Sequence, residues 1–297
     1  MTSHKAVAAG PSAAVAAPPH SRLPSCGGTL LAPQLPHMTD LDKARSLVAS
    51  AKRLVVFTGA GVSADSGVPT FRGSGDNSFW TKYSPEELAT PEGFRADPQL
   101  VYDFYTWRRT QLAAIQPNPA HHAIARWQRD HGAVVITQNV DGLHERLAPP
   151  SAAVFRLHGS LAEDKCSLCE HVEKIDLSSP PPLRPCPNCA TKWNVVIPYL
   201  RPNVVFFGEP LDPEIWAAAE NHAAQADVML VVGTSGEVWP AAGLVHLAAR
   251  HAQVIIANLD PSPLDSLASL LLPGRAAEVL HQIENPQSPA NNPPPPI

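Results

Sequence analysis

The sequence predicts an α/β fold built on a doubly wound parallel sheet. Short apolar runs rich in β-branched residues occur four times, which is typical of buried strands. Helix-like stretches lie between these runs, and the first run is followed at once by a glycine-rich turn. Such alternation favours a parallel sheet with helices on both faces. The predicted strands are Leu54–Thr58, 133–138, 228–235 and 254–258, and the predicted later helices are Pro119–His131, 212–225 and 239–251.

Composition limits the classes of function that the chain can have. Its 297 residues suit one large domain or two modest ones, and 44% of them are hydrophobic, enough for a sizeable core. A net charge of −5 with no long basic run argues against nucleic acid as the main partner. No apolar stretch reaches about 18 residues, so the sequence predicts no membrane-spanning helix.

Residues 1–37 are predicted to form a tail outside the folded body. They are rich in Ala, Pro, Ser and Gly, a composition that cannot bury enough apolar surface to offset the entropy of ordering. They also lack acidic residues, since the first in the chain is Asp40. Two interpretations stay open, a disordered tail and a mitochondrial transit peptide. Residues 286–297 are a second, proline-rich tail, so the predicted body spans residues 38–285.

The body is predicted to open with a helix over residues 40–52. Thr39 or Asp40 can cap its first turn by accepting hydrogen bonds from free backbone N–H groups. The apolar positions of this segment recur at helical spacing and would face the core. These positions are Leu41, Ala44, Leu47 and Val48.

The glycine turn after the first strand is a candidate phosphate-binding loop. Gly59 and Gly61 allow a tight turn and a close backbone approach to a pyrophosphate, and the following helix would offer free N–H groups. Ala64 stands where the GxGxxG pattern has its third glycine, so a plain strand-to-helix turn is the alternative. Phe71 and Arg72 lie in the polar stretch that follows and could fold over a bound ligand.

Two further segments carry candidate site residues. Gln138, Asn139 and Asp141 come directly after the second strand, at the sheet edge where open α/β folds bind ligands. Their alternative role is to cap the next helix. His158 precedes a glycine, and an ordinary histidine pKa of about 6.5 suits a general base. A structural histidine is the alternative there.

Two CxxC pairs form the most specific motif in the chain. Cys166 and Cys169 are separated by 16 residues from Cys186 and Cys189, a spacing typical of a four-thiolate zinc site. Two disulfides or free thiols are the alternatives. Four cysteine ligands would leave no open coordination position, so the zinc would be structural. The fifth cysteine, Cys26, lies in the first tail.

Together these motifs resemble those of the sirtuins, a family of NAD-dependent protein-lysine deacylases. The resemblance spans roughly residues 40–284 and implies a Rossmann-like domain with a zinc module inserted at about residues 160–198. It also implies transfer of the acyl group to ADP-ribose with release of nicotinamide. The matching segments are GAGVSADSGVPTFRG at 59–73, TQNVDGLH at 137–144, LHGS at 157–160, the cysteine pairs, RPNVVFFGE at 201–209, VVGTS at 231–235 and Asn258.

The resemblance implies catalytic and cofactor-binding roles residue by residue. His158 would be the general base, and Asn139 and Asp141 would act beside it in the nicotinamide pocket. Two cofactors are implied, NAD and one structural zinc ion. The residues expected to bind NAD are Gly59, Ala60, Gly61, Ser63, Asp65, Phe71, Arg72, Gln138, Asn139, Asp141, Gly233, Thr234, Ser235, Asn258, Leu259, Asp260 and Ala276.

A second set of residues is expected to bind the substrate. The resemblance implies that Val205, Phe206 and Gly208 pair with the backbone of the acylated peptide as an added strand. Tyr105 and Arg108 are three residues apart, so on a helix they share one face and can bind a carboxylate together. Their spacing resembles that of the class III sirtuins, which remove malonyl, succinyl and glutaryl groups from lysine.

Other functions remain open at this point. The alternatives are an ordinary deacetylase or ADP-ribosyltransferase, in which Tyr105 and Arg108 have no acyl role, and a non-catalytic NAD-binding protein. The expected partners are acyl-lysine proteins, with no nucleic acid and no membrane, and the chain is expected to be a monomer. A transit peptide would place it in mitochondria, and a plain tail in the cytoplasm and nucleus.

Overall fold

The computed structural model describes residues 38–69, 84–190 and 198–285. Both predicted tails lie outside the described residues, as do Cys26, Phe71 and Arg72. Residues 191–197 of the predicted zinc module also lie outside them. Among the helices of the described ranges, none has the length and apolar character needed to span a bilayer.

Strands and helices alternate along the described residues. The strands are β1 Leu54–Thr58, β2 Val134–Thr137, β3 Val154–Arg156, β4 Gly159–Cys166, β5 Val172–Lys174, β6 Leu200–Val204, β7 Val228–Val232, β8 Gln253–Ala257 and β9 Leu270–Leu271. The α-helices are α1 Asp40–Ser50, α2 Pro85–Leu88, α3 Pro91–Ala96, α4 Pro98–Ala114, α5 Pro119–His131, α6 Pro187–Ala190, α7 Pro213–Gln225, α8 Gly243–Ala248 and α9 Ala276–Glu284. Two 3₁₀ helices cover Ala60–Ser66 and Pro263–Leu267.

The main sheet has six parallel strands in the order β3-β2-β1-β7-β8-β9. The chain passes from β1 to β2 and β3 in one direction, then returns to place β7 on the other side of β1. Ligands of doubly wound folds bind in the crevice outside such a reversal of strand order. The carboxyl ends of β1 and β7 therefore mark the expected position of a site.

Both faces of the sheet are covered, which explains the continuous apolar runs of its strands. Side chains alternate along a strand, so Leu54 and Val56 of β1 enter one core while Val55 and Phe57 enter the other. Helices α1, α5 and α9 complete the first core, and α7 and α8 complete the second. The predicted doubly wound α/β fold is confirmed.

The first helix begins where its cap predicts. The Thr39 hydroxyl accepts the N–H of Asp42, and the Asp42 carboxylate accepts the N–H of Thr39. Ala44 and Val48 are buried on the core side, as their spacing predicts. The helix ends at Ser50 instead of residue 52, whereas β1 and α5 have the predicted bounds.

Two predicted helices differ from the structure. The segment 239–251 contains an α-helix only over Gly243–Ala248. Pro240 has no N–H group to donate, and Gly243, Leu244 and Val245 donate to the carbonyl three residues back, which is a 3₁₀ pattern. The segment after the first glycines is likewise the 3₁₀ helix Ala60–Ser66 and not an α-helix, and its tighter turn ends at Gly67 with φ of 89°.

Two insertions interrupt the succession of parallel strands. Helices α2, α3 and α4 lie between β1 and β2 in the sequence, and the antiparallel sheet β5-β4-β6 lies between β3 and β7. Their apolar side chains share a third core, in which Phe104 of α4 joins Leu161 of β4 and Phe206 beyond β6. The helical insertion and the small sheet therefore pack against each other.

A fully buried ion pair joins these two insertions. Arg109 Nη2 on α4 lies 2.6 Å from Asp164 Oδ1 on β4, and neither side chain is exposed. The Tyr102 hydroxyl donates to Asp164 Oδ2 at 2.6 Å, and Arg184 Nη1 lies 3.0 Å from the same oxygen. Arg109 Nε donates to the carbonyl of Leu161 at 2.8 Å. Because these polar atoms have partners, the core can accommodate the charges.

Removal of the Asp164 charge should strongly destabilise the protein. In Asp164→Asn the Arg109 guanidinium loses its counter-ion inside the core, so we expect a loss of about 3–5 kcal/mol in the free energy of unfolding. Urea denaturation followed by circular dichroism measures the change. The control is Glu92→Gln, which removes an exposed pair with Arg95 and should change stability by less than about 0.5 kcal/mol. Equal effects of the two variants would contradict the prediction.

Candidate active site

Three glycines close the crevice between β1 and β7. Gly61 donates its N–H to the carbonyl of Gly233 at 2.8 Å, and Gly59 donates to Val232 at 3.0 Å. A Cβ on Gly61 would lie 2.7 Å from the Gly233 Cα, and one on Gly233 would lie 2.3 Å from the Val62 nitrogen. Gly233 also has φ of +61°, which favours glycine. Backbone atoms that carry no side chains therefore form the floor of the crevice.

The residues that follow β7, β8 and β2 are locked together beside this floor. The Thr234 N–H donates to Asn258 Oδ1 at 3.1 Å, and Asn258 Nδ2 donates to the Thr234 carbonyl at 2.9 Å. Gln138 Nε2 donates to the Thr234 hydroxyl at 2.9 Å. Ser235 follows, half-buried. The structure thus brings together these four residues, which the motifs predict to be near one cofactor.

A buried polar cluster lies at the base of the same edge. The Ser63 hydroxyl donates to Asp141 Oδ2 at 2.8 Å and accepts from Asn139 Nδ2 at 3.2 Å. None of the three is more than 7% exposed. The second oxygen of Asp141, Oδ1, accepts the N–H of Leu143 at 2.9 Å. One oxygen of Asp141 therefore caps a turn and the other belongs to the cluster. The predicted helix cap is wrong, because turns and no helix follow Asp141 before β3.

Two buried histidines support this cluster, although sequence reasoning assigned them no role. His121 Nδ1 accepts the N–H of Asn118 at 3.3 Å, so its proton lies on Nε2, 3.3 Å from the Ser63 hydroxyl. His144 Nε2 lies 3.1 Å from the Thr58 hydroxyl. Burial lowers the pKa of His121 to about 3 and that of His144 to about 4, so both are neutral. The capping box of Asn118 and His121 is the signal that could have indicated the first.

His158 lies half-buried at the start of β4 with its orientation fixed. Its Nδ1 lies 3.0 Å from the carbonyl oxygen of Gln138, so Nδ1 carries the proton and Nε2 keeps a lone pair. Burial lowers the pKa of His158, and the hydrogen bond to Gln138 opposes this only in part. The imidazole is therefore neutral near pH 7, the form that a general base requires.

The segment after β6, here called the 205–209 loop, connects His158 with both insertions. Its backbone N–H groups are already engaged: those of Val205, Phe206 and Phe207 donate to the His158 carbonyl (2.9 Å), Glu209 Oε2 (2.9 Å) and the Ala89 carbonyl (2.8 Å). The Phe206 ring is buried, and Gly208 has φ of +86°. A peptide strand added along this loop would therefore use the carbonyl oxygens of Val205 and Phe207 as acceptors.

Tyr105 and Arg108 share one face of α4, as their spacing predicts. Arg108 Cζ lies 5.6 Å from the centre of the Tyr105 ring, and that ring lies 5.9 Å from Phe206. Burial lowers the pKa of Arg108, while the Tyr105 phenol, to which it is hydrogen bonded, and the Asp141 carboxylate act in the opposite direction. The guanidinium therefore packs against the Phe104 and Tyr105 rings and is half-buried in partly apolar surroundings.

The remaining predicted cofactor residues of the described ranges belong to the first 3₁₀ helix, the turn after β8 and the start of α9. Asp65 has a structural role, because it accepts from Arg275 Nη1 at 2.7 Å and from the N–H of Ala277 at 3.3 Å. It thereby ties the first 3₁₀ helix to α9, whose first residue is the buried Ala276. Ala60 opens that 3₁₀ helix and is half-buried, and Leu259 and Asp260 are exposed after β8.

Four cysteine sulfurs converge in the small antiparallel sheet. They all lie within 4.8 Å of one another, with 3.8 Å between Cys166 and Cys189 and 3.8 Å between Cys169 and Cys186. Sulfurs about 2.3 Å from one tetrahedral zinc ion would be about 3.8 Å apart, whereas a disulfide is about 2.05 Å long. The cluster fits one structural zinc ion, and the alternative of two disulfides is wrong for this structure.

Comparison with known proteins agrees with this arrangement. The Sir2 family profile matches residues 59–240, which contain the first glycines, the buried polar cluster and the four cysteines. NAD-dependent protein deacylase 2 of Pyrobaculum aerophilum is 47% identical over 242 residues, covering 80% of this chain and 92% of that protein. The chain belongs to the Sir2 family. The predicted resemblance to sirtuins is thereby confirmed.

Solved Sir2 structures share the fold. A crystal structure of a Sir2 homologue in complex with NAD superposes with a TM-score of 0.74 at 41% identity, covering 82% of this chain and 91% of that one. A Sir2 complex with p53 peptide and NAD+ superposes with a TM-score of 0.69 at 29% identity, covering 82% and 96%. The Sir2 fold thus extends over the glycine crevice, the buried cluster and the cysteine module described above.

Purified Sir2 protein of this sequence should contain about one zinc ion per chain. Cys186→Ser should lose the metal and melt the small sheet, because a structural zinc site contributes folding free energy. Elemental analysis by mass spectrometry measures the stoichiometry. Cys26→Ser is the matched control and should keep one zinc per chain, since Cys26 belongs to neither CxxC pair. Equal zinc content in both variants would rule out the proposed ligand set.

This Sir2 protein should lose stability as the pH falls below 6.5. His121 and His144 bind protons in the unfolded chain below their ordinary pKa of 6.5, but in the folded chain only near pH 3 and pH 4. Unfolding is therefore favoured by about 1.4 kcal/mol per pH unit for each histidine between these limits.

Urea denaturation between pH 7 and pH 4.5 tests this. His144→Gln keeps a donor for Thr58 but cannot titrate, so its stability should decline less steeply than that of the wild type. The control His131→Gln alters an exposed histidine at the end of α5 and should leave the slope unchanged. Identical slopes for wild type and His144→Gln would exclude His144 as a source.

Proposed function

We propose that this protein is an NAD-dependent protein-lysine deacylase. The observation that carries the proposal is the double attachment of Gln138. The carbonyl oxygen of Gln138 accepts a hydrogen bond from His158 Nδ1–H. Its side-chain amide donates to the Thr234 hydroxyl beside the crevice. A neutral base and the crevice are thus fixed relative to each other by one residue. The relative from Pyrobaculum aerophilum, an NAD-dependent protein deacylase, supports the same reaction.

The crevice suits a dinucleotide. Gly59, Gly61 and Gly233 carry no side chains, so a pyrophosphate could approach the backbone of these turns closely. A Cβ on any of the three would collide with the neighbouring turn and push the two turns apart. Asn258 and Thr234 bind each other across β7 and β8 and offer polar atoms for a ribose. When bound, NAD supplies the ADP-ribose that receives the acyl group and the nicotinamide that leaves.

The chain's own groups then divide the chemical work. With a dinucleotide bound, His158 Nε2 would accept a proton from a sugar hydroxyl, since the imidazole is neutral and its orientation is fixed. Asp141, held by Ser63, would supply negative charge to stabilise a developing positive charge on the sugar, and Asn139 in turn donates to Ser63. His121 lies against Ser63, and the ring of His144 packs on that of His121. Preorganised charge of this kind is commonly the largest contribution to catalysis.

The acyl-lysine peptide would lie along the 205–209 loop. The N–H of Val205 donates to the His158 carbonyl, so a strand added to this loop is placed beside the base. The carbonyl oxygens of the loop can receive the peptide N–H groups, as in other cases of strand addition. The solved Sir2 complex with p53 peptide supports a peptide as the substrate class.

We further propose that the preferred acyl groups are acidic, namely malonyl, succinyl or glutaryl. The Arg108 guanidinium is half-buried and packs against aromatic rings. The negative charge of Asp141 stabilises its charged form. A carboxylate at the end of the acyl chain could bind Arg108 and the Tyr105 hydroxyl by charge-assisted hydrogen bonds. An acetyl group has no such carboxylate and would not form these hydrogen bonds to Arg108 and Tyr105.

A paired mass-spectrometric assay tests both levels of the proposal. One peptide carrying either acetyl-lysine or succinyl-lysine is incubated with the full chain, with and without NAD. Succinyl removal should require NAD and should disappear in His158→Ala. Arg108→Met should lower kcat/KM for the succinyl peptide about 10- to 100-fold, the value of one or two charged hydrogen bonds. Acetyl removal should be affected much less.

Arg95→Met is the matched control, because Arg95 is an exposed arginine paired with Glu92 on α3. It should leave both rates unchanged. Preferred removal of acetyl, with no effect of Arg108→Met, would leave an ordinary deacetylase and reject the acidic preference. NAD-dependent labelling of the peptide with ADP-ribose would favour an ADP-ribosyltransferase. Turnover that persists in His158→Ala would reject the base assignment.

A further inference from the structure

An ion pair holds the 205–209 loop in place and has no role in the mechanism above. Arg201 on β6 and Glu209 at the end of the loop form this pair, here called the clamp. The Arg201 guanidinium also lies over the Phe206 ring at 4.2 Å and donates to the Val204 carbonyl at 3.3 Å. Only 5% of Arg201 is exposed, so these interactions are stronger than they would be in water.

Glu209 also closes the turn of the loop. Its Oε2 accepts the N–H of Phe206 at 2.9 Å, while its Oε1 meets Arg201. In the reverse direction, the N–H of Glu209 donates to the Phe206 carbonyl at 3.0 Å. The backbone of Phe206 is therefore held by Glu209 from two sides, and its ring is held by Arg201. The loop cannot change shape without breaking the clamp.

The register of the small sheet explains why Glu209 is needed. Arg201 is the cross-strand partner of Lys165, the residue before the zinc-ligand candidate Cys166. Two cations directly opposite each other on neighbouring strands repel. Glu209 Oε2 lies 3.9 Å from Lys165 Nζ, so its carboxylate lies close to both cations and reduces their repulsion. The clamp thereby ties the loop to the sheet that carries the cysteines.

We propose that Arg201 and Glu209 are positioning residues, which hold the 205–209 loop in the shape that the acyl-lysine peptide requires. The proposal rests on the proposed function, since that function makes the peptide the partner of this loop. Among the described contacts of Arg201 and Glu209, none reaches the crevice of Gly59, Gly61 and Gly233. Loss of the clamp should therefore weaken peptide binding and spare NAD binding.

Glu209→Gln is the first test variant, because it keeps an acceptor for the Phe206 N–H but removes the charge between the two cations. We expect the peptide KM to rise at least fivefold, with kcat and the NAD KM within twofold of wild type. Adding Lys165→Gln removes the repulsion and should restore at least half of the loss on a logarithmic scale. Parallel increases in both KM values, or no rescue, would overturn the proposal.

Glu163→Gln is the matched control, since Glu163 lies on β4 of the same sheet with similar exposure and pairs with Arg156. It should leave both KM values unchanged. Zinc content is measured for every variant and should stay at one ion per chain. A loss of zinc in Glu209→Gln would show general damage to the module and would overturn the specific role.

Hydrogen exchange followed by mass spectrometry gives a readout that needs no activity. In Glu209→Ala the Phe206 N–H loses its acceptor, so exchange in a fragment containing residues 204–209 should become at least tenfold faster than in wild type. Unchanged exchange would overturn the clamp itself. The wild type could also prove unable to bind or deacylate peptides while Glu209→Ala still shows faster exchange. That result would overturn the proposed function and the role of the clamp in peptide binding, but not the finding that the clamp orders the loop.

Discussion

The contact of two backbones at Gly61 and Gly233 is the constraint on which the rest of the site depends. It lies where the strand order reverses, and it lets the first turn after β1 touch the first turn after β7. The N–H of Gly233 in turn donates to the carbonyl of Ala257 at 3.1 Å, which adds the end of β8. Ser63 and Thr234 are presented from opposite sides of this floor because no side chain separates the backbones.

Much of the fold follows from local patterns in the sequence. Strand β1 could be predicted with its bounds because both of its faces are buried, so its first four residues are apolar and glycine follows Thr58 directly. Helix α5 could be predicted because Asn118, Pro119 and Gly132 mark its ends. The helix predicted over 239–251 was too long, since the turns that follow Pro240 form 3₁₀ hydrogen bonds, a difference that hydrophobic periodicity does not reveal.

Fewer features of the site than of the fold could be predicted from the sequence. Residues that follow strand ends could be assigned to one edge, because parallel strands align their carboxyl ends. The supporting residues could not, since their roles depend on pairs far apart in sequence. His121 and Ser63 are 58 residues apart, and Arg109 and Asp164 are 55 apart. The capping box at Asn118 could have marked His121 as ordered, but nothing in the sequence near His121 or Arg109 identifies the distant partner of either.

The buried pair of Arg109 and Asp164 has a consequence for how this protein could be recombined. It joins two insertions that enter the main domain at different points of the chain, and the third hydrophobic core spans the same boundary. A zinc module transplanted alone from a relative would place that relative's residues, instead of Asp164, against Arg109. Chimeras that exchange the helical insertion and the zinc module together keep the boundary intact. The helical insertion and the zinc module therefore behave as one unit when segments are exchanged between relatives.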